Sequence, residues 1–467
     1  MRKIYTLLLT TLTAMAAMCP TLEAKAEDNH VSGVYVGGHI RRERPNTITK
    51  LKDSGFTYVI LFNVHVDPDG TLKTDGETIC KNGEYVFTRT QPYYVDDVKA
   101  LKTAPTSISR LEICIGGWGN DSYVNIKNLI NSKGTGKTTM LYRNFKALLD
   151  AVPGIDAVNN DDEHSYDVAT ATKFHVMMYD LGLKTTLAPY TNKSFWTSLA
   201  NNVNRQRPGA VDRVMIQCYD GGAGNDPRNW DFGNITRHAG RTNYQTDMNT
   251  SIKQMQTWRD NGGATGGFVW VYNDETWDLN AWASAINRTY GARVVKEEDI
   301  AAKAYSEKNK GGYCVNLPVG IHTKSDLAVF GIQANDIESF FTMKGYKSKL
   351  YTKNDCTGSY FLVGDSVYRA TLITNVSNKV NSIKIEAIPP STDGIESIQQ
   401  EDIEINLLGD DIYVDNAKGA NIEIYNISGQ KILSTIVRND AEVITLKPLP
   451  KGTCVVKTKG KTIKIVR

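Results

Sequence analysis

The chain has 467 residues, of which 41% are hydrophobic and 22% charged. This length exceeds what one hydrophobic core of ordinary size organises, so two to four domains are expected, and the composition excludes extensive disorder. A formal net charge of +3 is too small for this length to indicate nucleic acid or an anionic membrane as the main partner, and a neutral substrate fits better.

The first 26 residues have the pattern of a signal peptide. Two basic residues at positions 2 and 3 precede an apolar run at 4–18, and the sequence Ala-Lys-Ala ends at position 26. We therefore predict that residues 1–26 are removed and that the protein is secreted or held at the cell surface. No later apolar stretch approaches the roughly 20 residues needed to cross a bilayer, so no transmembrane segment is predicted.

From about residue 31 to residue 291, short apolar runs alternate with helix-like stretches, a pattern typical of β/α units around a parallel sheet. The eight candidate strands are 34–38, 58–64, 111–115, 155–163, 185–189, 214–219, 235–239 and 267–272. Eight strands in a region close to ~250 residues predict a closed α/β fold, the (β/α)8 TIM-type barrel, over residues 27–293. In such barrels the chemistry lies where the strands end, so polar residues that close apolar runs are the candidate site residues.

After residue 293 the pattern changes to short alternating segments separated by Gly, Asn and Asp turns, with little helical pattern. This predicts two small all-β domains, at 308–388 and 401–467. The stretch 389–400 between them has the composition of a linker.

Cysteine and histidine spacing argues against a metal site. Six of the seven cysteines follow the leader without C-x-x-C spacing, and the seven histidines lack H-x-x-x-H spacing, so no metal and no cofactor is predicted. Cys114 and Cys218 fall inside apolar runs and are expected to be buried. A disulfide between Cys314 and Cys356 is compatible with export, but the sequence leaves the pairing open.

The fourth predicted strand ends in an unusually polar run, Gly-Ile-Asp-Ala-Val-Asn-Asn-Asp-Asp-Glu, at positions 154–163. By alternation Asn159, Asp161 and Glu163 share one face, while Asn160 and Asp162 point the other way. Two interpretations are open at this point. In the first, the run continues the strand and its polar side chains face the barrel axis, although strands disfavour Asp and Asn. In the second, the strand ends earlier and the run is a solvated loop rich in turn-forming residues.

The run resembles the signature D-G-x-D-x-D-x-E of glycoside hydrolase family 18, with Asp156, Asp161 and Glu163 in matching acidic places. Ala and Asn at positions 157 and 159 replace the usual Gly and second Asp of the signature. The chain therefore lacks the negative charge that the family usually has two residues before Asp161. Chitinases of the family usually carry Trp where this chain has Asp162. In that respect the run is similar to the endo-β-N-acetylglucosaminidase branch.

Three further segments resemble the same family in the same order, at 114–118, 217–220 and 266–273, so the resemblance covers about the first 290 residues. It implies a substrate-assisted retaining mechanism, in which the substrate's N-acetyl oxygen replaces an enzymatic nucleophile. Glu163 would donate the proton and later activate water, which requires a raised pKa. Asp161 would hold the acetamido N–H and offset the charge of the oxazolinium ion, and Tyr219 would bind the acetamido carbonyl oxygen.

Other strand-end residues are candidate sugar contacts. Phe268, Trp270 and Tyr272 share one face by alternation, so each ring either stacks on a sugar or belongs to the barrel core. His65, near the end of the second strand, is interpreted as a structural histidine. The candidate substrate-binding residues are Asn63, Trp118, Asn159, Gln217, Asp220, Trp270 and Tyr272.

These observations predict a monomeric endo-β-N-acetylglucosaminidase that cuts the GlcNAc-β-1,4-GlcNAc core of N-glycans on glycoproteins, of high-mannose or related type. A chitinase is one alternative, disfavoured by Asp162 and by the few aromatic residues available for a chitin groove. A non-catalytic glycan-binding protein with a hydrolase-like barrel is another. The presence of both Asp161 and Glu163 argues against it, because a binding protein has no use for a proton donor.

The two C-terminal domains carry resemblances of their own. Segments 317–339, 344–351 and 378–383 are similar to a βγ-crystallin-type double Greek key. Residues 335–339 match the calcium-binding motif of that family, but Phe340 replaces the last Ser of the motif. The second copy carries Lys379, and a cation opposes calcium binding, so a structural or glycan-presenting module is expected. Segments 422–430 and 449–457 resemble the C-terminal sorting domain of type IX secretion, in agreement with export.

Overall fold

A computed structural model describes residues 30–273, 276–364, 368–369, 372, 376–388, 403–408, 410–415, 417–439, 441–458 and 461–466. The predicted leader at 1–26 and the predicted linker at 389–400 lie outside these residues. Within the described ranges, no helix is both long enough and apolar enough to cross a bilayer.

Eight parallel strands close into a barrel, because the first strand pairs with both the second and the eighth. Their bounds lie within three residues of the predicted ones. The strands are β1 Ser32–Val36, β2 Tyr58–Val66, β3 Arg110–Gly116, β4 Ala157–Asp161, β5 Lys184–Leu187, β6 Val211–Gln217, β7 Thr236–Thr242 and β8 Gly266–Tyr272.

Helices surround the barrel and bury one apolar face against it. They are α1 Asn46–Ser54, α2 Tyr94–Leu101, α3 Ser122–Lys133, α4 Met140–Ala151, α5 Val168–Asp180, α6 Lys193–Gln206, α7 Met248–Asp260 and α8 Leu279–Tyr290. Thr139, Asp167, Asp247 and Asp278 begin four of them by accepting a backbone N–H from the first turn. A short helix at His39–Arg42 and a meander of strands Leu72–Thr74, Glu77–Lys81 and Glu84–Tyr85 occupy loops after β1 and β2.

The barrel interior is filled by large side chains opposite glycines. A Cβ atom on Gly33 would lie 2.0 Å from the Tyr58 ring, and one on Gly240 would lie 2.2 Å from the Phe268 ring. Because protein interiors are close-packed, only glycine leaves room for these rings at those positions. Cys114, predicted to be buried, lies in the same interior cluster.

A second unit follows the barrel and consists of two four-stranded antiparallel sheets. The first joins Cys314–Leu317, Ala302–Tyr305, Ser339–Thr342 and Tyr368–Arg369, and the second joins Gly320–His322, Ser382–Ala387, Tyr346–Tyr351 and Tyr360–Val363. Its first strand therefore begins six residues before the predicted boundary at 308. Cys314 and Cys356 are both free, so the disulfide considered from the sequence is not formed.

The second unit also contains one helix, α9 Lys324–Phe330, where the sequence pattern indicated little helix. A capping box between Thr323 and Asp326 begins it. The helix is seven residues long, which is too short for a helical period to stand out, and its apolar side packs through Leu327 and Phe330.

Helix α9 packs against the barrel through α1 and α8. Asn287 Nδ2 donates hydrogen bonds to the carbonyls of Gly55, at 2.8 Å, and Ala328, at 2.9 Å. Gly55 has φ +92, and a Cβ atom there would lie 2.2 Å from that of Ala328, so the close approach requires glycine. Asp336, in the candidate calcium motif, accepts a hydrogen bond from Tyr313 at 2.8 Å, and the Tyr313 ring lies 3.7 Å from the guanidinium of Arg288 in α8.

The C-terminal unit is a compact sandwich of two sheets around an aliphatic core. One sheet contains Glu404–Leu408, Asp411–Asp415 and Ala441–Thr445. The other contains Lys431–Ile436, Asn421–Asn426, Thr453–Thr458 and Lys461–Val466.

Single-turn 3-10 segments lie in the earlier units, at Phe87–Arg89, Asp220–Gly222, Pro227–Asn229, Glu297–Asp299 and Lys308–Lys310.

Candidate active site

A cavity of about 560 Å³ opens at the carboxyl ends of the barrel strands. It lies where the barrel architecture leads one to expect a site, above the packed interior. Its lining residues are Phe62, Gly117, Trp118, Asp161, Glu163, Tyr190, Gln217, Tyr219, Asp220, Gly221 and Trp270.

Asp161 and Glu163 both line this cavity although only the first belongs to a strand. Strand β4 ends at Asp161, two residues before the predicted end, and Glu163 lies in the following bend. Asp162 turns away from the cavity and accepts backbone N–H groups of His164 at 3.1 Å, Ser165 at 2.8 Å and Tyr166 at 2.9 Å. The polar run is therefore a strand end followed by a loop, and the Asp162 carboxylate holds that loop in shape.

Asn160 anchors the strand end from the outer face of the barrel. Its Oδ1 accepts the backbone N–H of Asp162 at 2.9 Å, and its Nδ2 donates to His175 Nε2 at 2.7 Å. Burial lowers the pKa of His175 to about 3, so the ring stays neutral and its Nδ1–H donates to Thr185 Oγ1 at 3.1 Å. These contacts tie the loop bearing Glu163 to α5 and β5.

The two carboxyl groups in the cavity have raised proton affinities. Burial, reinforced by the charges of Asp162 and Asp220, raises the pKa of Glu163 to about 7. Burial and the nearby Glu163 raise the pKa of Asp161 well above its ordinary value, while a hydrogen bond from Gln217 opposes that rise. The pair can therefore hold a proton near neutral pH, as general acid catalysis requires.

Aromatic rings form one wall of the cavity. The Trp270 ring is nearly parallel to that of Tyr219, at 11° with centroids 6.4 Å apart, and meets Phe62 edge-on at 4.7 Å. Burial raises the pKa of Tyr219 well above its ordinary value, which keeps its hydroxyl protonated as a donor. Trp118 stands at the rim with 91% of its surface exposed. This wall offers both flat apolar faces and a phenolic donor to a bound molecule.

Three predicted substrate-binding residues are not in the cavity. Asn159 is fully buried beneath it and bonds Tyr35 and Glu112. Tyr272 is also fully buried: between Val34 and Val36 of β1, strand β8 carries one extra residue, so Tyr272 points to the opposite face from the one that alternation predicted.

Asn63 is displaced by a second irregularity of the same kind. Strand β2 advances three residues, from Leu61 to Val64, while β3 advances two, and Asn63 falls in that interval. Its amide donates to the carbonyl of Gly116 at 2.8 Å. The residue therefore joins two strands and faces a neighbouring cavity instead of the main one.

That neighbouring cavity, of about 410 Å³, is polar and shares Phe62 and Trp118 with the main cavity. His65 lines it and bonds Asn120, in line with the structural role expected for this histidine. Across the described residues, no group of three or more His, Cys, Asp or Glu side chains is arranged to hold a metal ion.

Sequence reasoning did not select four of the residues that line the cavity, Phe62, Gly117, Tyr190 and Gly221. Tyr190 follows the apolar run of β5 directly, so the rule that selected the other strand-end residues also applied to it. Phe62 lies within an apolar run and carries no polar signal. Only the closure of the barrel brings its ring against Trp270.

A family model described as a domain of unknown function (DUF6383) matches residues 392–466. The search of curated proteins returns no significant match.

Solved structures that the chain resembles include three βγ-crystallin-type or related domains. A βγ-crystallin domain from Flavobacterium johnsoniae is 24% identical, covers 20% of this chain and 99% of its own, and has a TM-score of 0.19. The N-terminal domain of Protein S is 29% identical over 19% of this chain and 99% of its own, with a TM-score of 0.18. A βγ-crystallin domain from Clostridium beijerinckii is 25% identical over 18% of this chain and 95% of its own, with a TM-score of 0.17.

Proposed function

We propose that this protein is an endo-β-N-acetylglucosaminidase that hydrolyses the GlcNAc-β-1,4-GlcNAc core of N-glycans. The observation that carries the proposal is that Asp161 and Glu163 face one cavity together with Tyr219 and Gln217. A carboxyl group with a pKa near 7 beside a second carboxyl suits a proton donor and its partner. The resemblance of the polar run to glycoside hydrolase family 18 supports the same chemistry.

In the proposed reaction Glu163 donates its proton to the glycosidic oxygen as the bond to the anomeric carbon breaks. The substrate's own acetamido oxygen attacks that carbon and forms an oxazolinium ion. Asp161 accepts the acetamido N–H and offsets the positive charge, while Tyr219 donates to the acetamido oxygen and aims it. Glu163, now ionised, then removes a proton from the water that opens the ring, and the product retains the β configuration.

Support for a branched substrate comes from the two adjoining cavities. Both are bounded by Phe62 and by the exposed ring of Trp118, so a branched glycan could place one arm in each. A linear chitin chain would instead need a row of exposed aromatic rings along one groove. Among the described large hydrophobic side chains of the barrel that are at least half exposed, Trp118 is the one that lines this cavity.

The test is to incubate the full chain with a high-mannose glycoprotein, a complex-type glycoprotein and a chitin oligomer, and to follow the released sugars by mass. Glycans released with one N-acetylglucosamine at the reducing end, and one left on the protein, are expected. Release from chitin alone would make the protein a chitinase, and binding without release would make it a glycan-binding protein.

Two variants assign the chemistry in that assay. Glu163→Gln keeps the size of the side chain but removes the proton donor, so turnover should fall by about 10²- to 10⁴-fold while glycan binding persists. Glu386→Gln, in a strand of the second unit where the carboxyl pairs with Lys384 and outside both cavities, serves as the matched control and should leave turnover unchanged. Full activity of Glu163→Gln would contradict the role given to Glu163.

We further propose that the chain acts as an exported monomer and that its C-terminal sandwich has a sorting role. The basic and apolar pattern of residues 1–26 and the resemblance of segments 422–430 and 449–457 to type IX sorting domains support export. Expression with and without residues 401–467, followed by fractionation of the cells, tests the sorting role. Equal export of both forms would reject it.

A further inference from the structure

Glu112 is a fully buried carboxylate inside the barrel that the proposed chemistry does not use. Its Oε1 accepts from Arg110 Nε at 2.7 Å and from Thr186 Oγ1 at 2.8 Å. Arg110 also donates to the two carboxylate oxygens of Asp212, a residue of β6, at 2.8 and 2.9 Å. Removing a carboxylate from water is costly, so its retention here points to a task beyond packing.

The second oxygen of Glu112 sets the orientation of Asn159. Glu112 Oε2 accepts from Asn159 Nδ2 at 3.1 Å, and a carboxylate only accepts hydrogen bonds. The other end of the amide, Oδ1, is thereby turned toward Tyr35, whose hydroxyl donates to it at 3.1 Å. The ion pair thus fixes one amide orientation, and that orientation fixes the phenol.

Tyr35 transmits this order to the wall of the cavity. Its ring meets Trp270 at 5.1 Å and 67° and Phe62 at 6.4 Å and 72°. Trp270 and Phe62 both line the cavity, and Trp270 lies parallel to Tyr219. A continuous series of contacts therefore runs from a buried negative charge to the rings that would enclose the sugar.

We infer that Glu112 is a positioning residue for the reaction proposed above: through Asn159 and Tyr35 it holds the aromatic wall of the cavity in place. This inference rests on the proposed function for its kinetic consequence. A second consequence does not depend on turnover. Burial raises the pKa of both Asp161 and Glu163, so a loosened cavity wall should lower these pKa values whether or not substrate is cleaved.

The kinetic test is Glu112→Gln, which keeps the shape and removes the charge. We expect kcat to fall by about tenfold, with KM changed by less than about twofold, since the wall is disturbed more in the transition state than in binding. Asp212→Asn is the matched control, because it also removes one carboxylate partner of Arg110 but does not touch Asn159. It should leave kcat unchanged.

A double variant separates the order of hydrogen-bond donors and acceptors from the shape of the side chains. In the double variant Glu112→Gln with Asn159→Asp, the carboxylate and the amide exchange positions. The carboxylate at position 159 can then accept from both the amide at position 112 and the hydroxyl of Tyr35. Most of the kcat lost in the single variant should return. A double variant that is worse than Glu112→Gln would show that only the native packing matters and would overturn the inference.

The titration test follows Asp161 and Glu163 by carboxyl carbon NMR. A displaced wall would expose these carboxyl groups to water, so their titration midpoints should fall in Glu112→Gln and stay in place in Asp212→Asn. The other titratable groups around the pair are Tyr35, Cys114, Tyr123, Asp162, Tyr166, Tyr219 and Asp220, and the charged groups beside Glu112 are Arg110 and Arg213.

The outcomes distinguish the two proposals. Shifted midpoints in a protein that cleaves no substrate would reject the hydrolase and keep the role of Glu112 in the site. Cleavage by the parent chain with unmoved midpoints and unchanged kcat in Glu112→Gln would reject the role of Glu112 alone. Should that variant not fold, Tyr35→Phe removes only the terminal hydroxyl of the series and is expected to lower kcat severalfold, and an unchanged kcat would again reject the inference.

Discussion

Gln217 Nε2 donates hydrogen bonds to Asp161 Oδ1 at 2.9 Å and to the carbonyl of Ala188 at 2.8 Å. The amide joins the end of β6 to the end of β4 and, through Ala188, to the segment that follows β5. Because it donates to Asp161, it favours the charged form of that carboxyl group and opposes the effect of burial.

Gln217→Leu should therefore raise the pKa of Asp161 further. We expect kcat to fall by about tenfold and the acid limb of the pH profile of kcat/KM to move to higher pH, since Asp161 must be ionised to accept the acetamido N–H. The pH profile with an N-glycopeptide substrate measures both effects. Gln206→Leu, at an exposed position at the end of α6, is the control, and an unmoved acid limb would contradict the role of the hydrogen bond.

The pH dependence of turnover should report the protonation of Glu163. The proton donor acts in its protonated form, and its pKa is raised to about 7 by burial and by the charges of Asp162 and Asp220, so kcat/KM should decline above that pH. In Asp220→Asn one of these charges is gone, the pKa of Glu163 should fall, and the basic limb should move to lower pH. Asp226→Asn, in the same loop but paired with Arg228, should leave the limb where it is.

Trp118→Ala tests whether the exposed ring binds substrate. The indole is 91% exposed, so its loss should not change the melting temperature. We expect KM for the glycoprotein to rise by about tenfold, the equivalent of one lost aromatic contact, with kcat unchanged. Tyr93→Ala removes another exposed ring, at a position 56% exposed and outside both cavities, and serves as the control. Equal KM in the two variants would remove Trp118 from the proposed binding surface.

Asn287→Ala tests the contact between the barrel and the second unit. The variant leaves the carbonyls of Gly55 and Ala328 without their donor in a buried place, which should lower the free energy of unfolding by about 2 kcal/mol. Urea unfolding measures the loss, and Asn201→Ala at an exposed position of α6 is the reference. Turnover at low temperature should be unchanged, because the contact is on the side of the barrel away from the cavity residues.

Local patterns and the family resemblance together were sufficient for much of the site. The polar run supplied Asp161 and Glu163, and strand ends supplied Trp118 and Trp270. Gln217, Tyr219 and Asp220 came from the segment that resembles the family, and all seven residues line one cavity. This works because parallel strands of a barrel end at one rim, so strand-end residues distant in sequence converge. Their assigned roles in catalysis and binding stay predictions.

Two of the three predicted residues that lie outside the cavity share one physical cause. Tyr272 was selected by strict alternation and Asn63 as a residue near the end of its strand, but an extra residue in β8 and another in β2 change the face that these side chains occupy. A bulge depends on the register of the neighbouring strand, and a single strand's sequence does not carry that information. The disulfide considered between Cys314 and Cys356 failed for a similar reason, since pairing depends on the relative placement of two separate segments.

The amino-acid sequence by itself determined the eight strands, the β-rich C-terminal units and the acidic run, because hydrophobic period and turn residues act over a few neighbouring positions. Only the tertiary structure decided which faces meet. It placed Phe62 and Tyr190 in the cavity, moved Asn159 beneath it and set Glu112 against that amide from the adjacent strand. These relations arise from strand register and barrel closure, which join residues far apart in the chain.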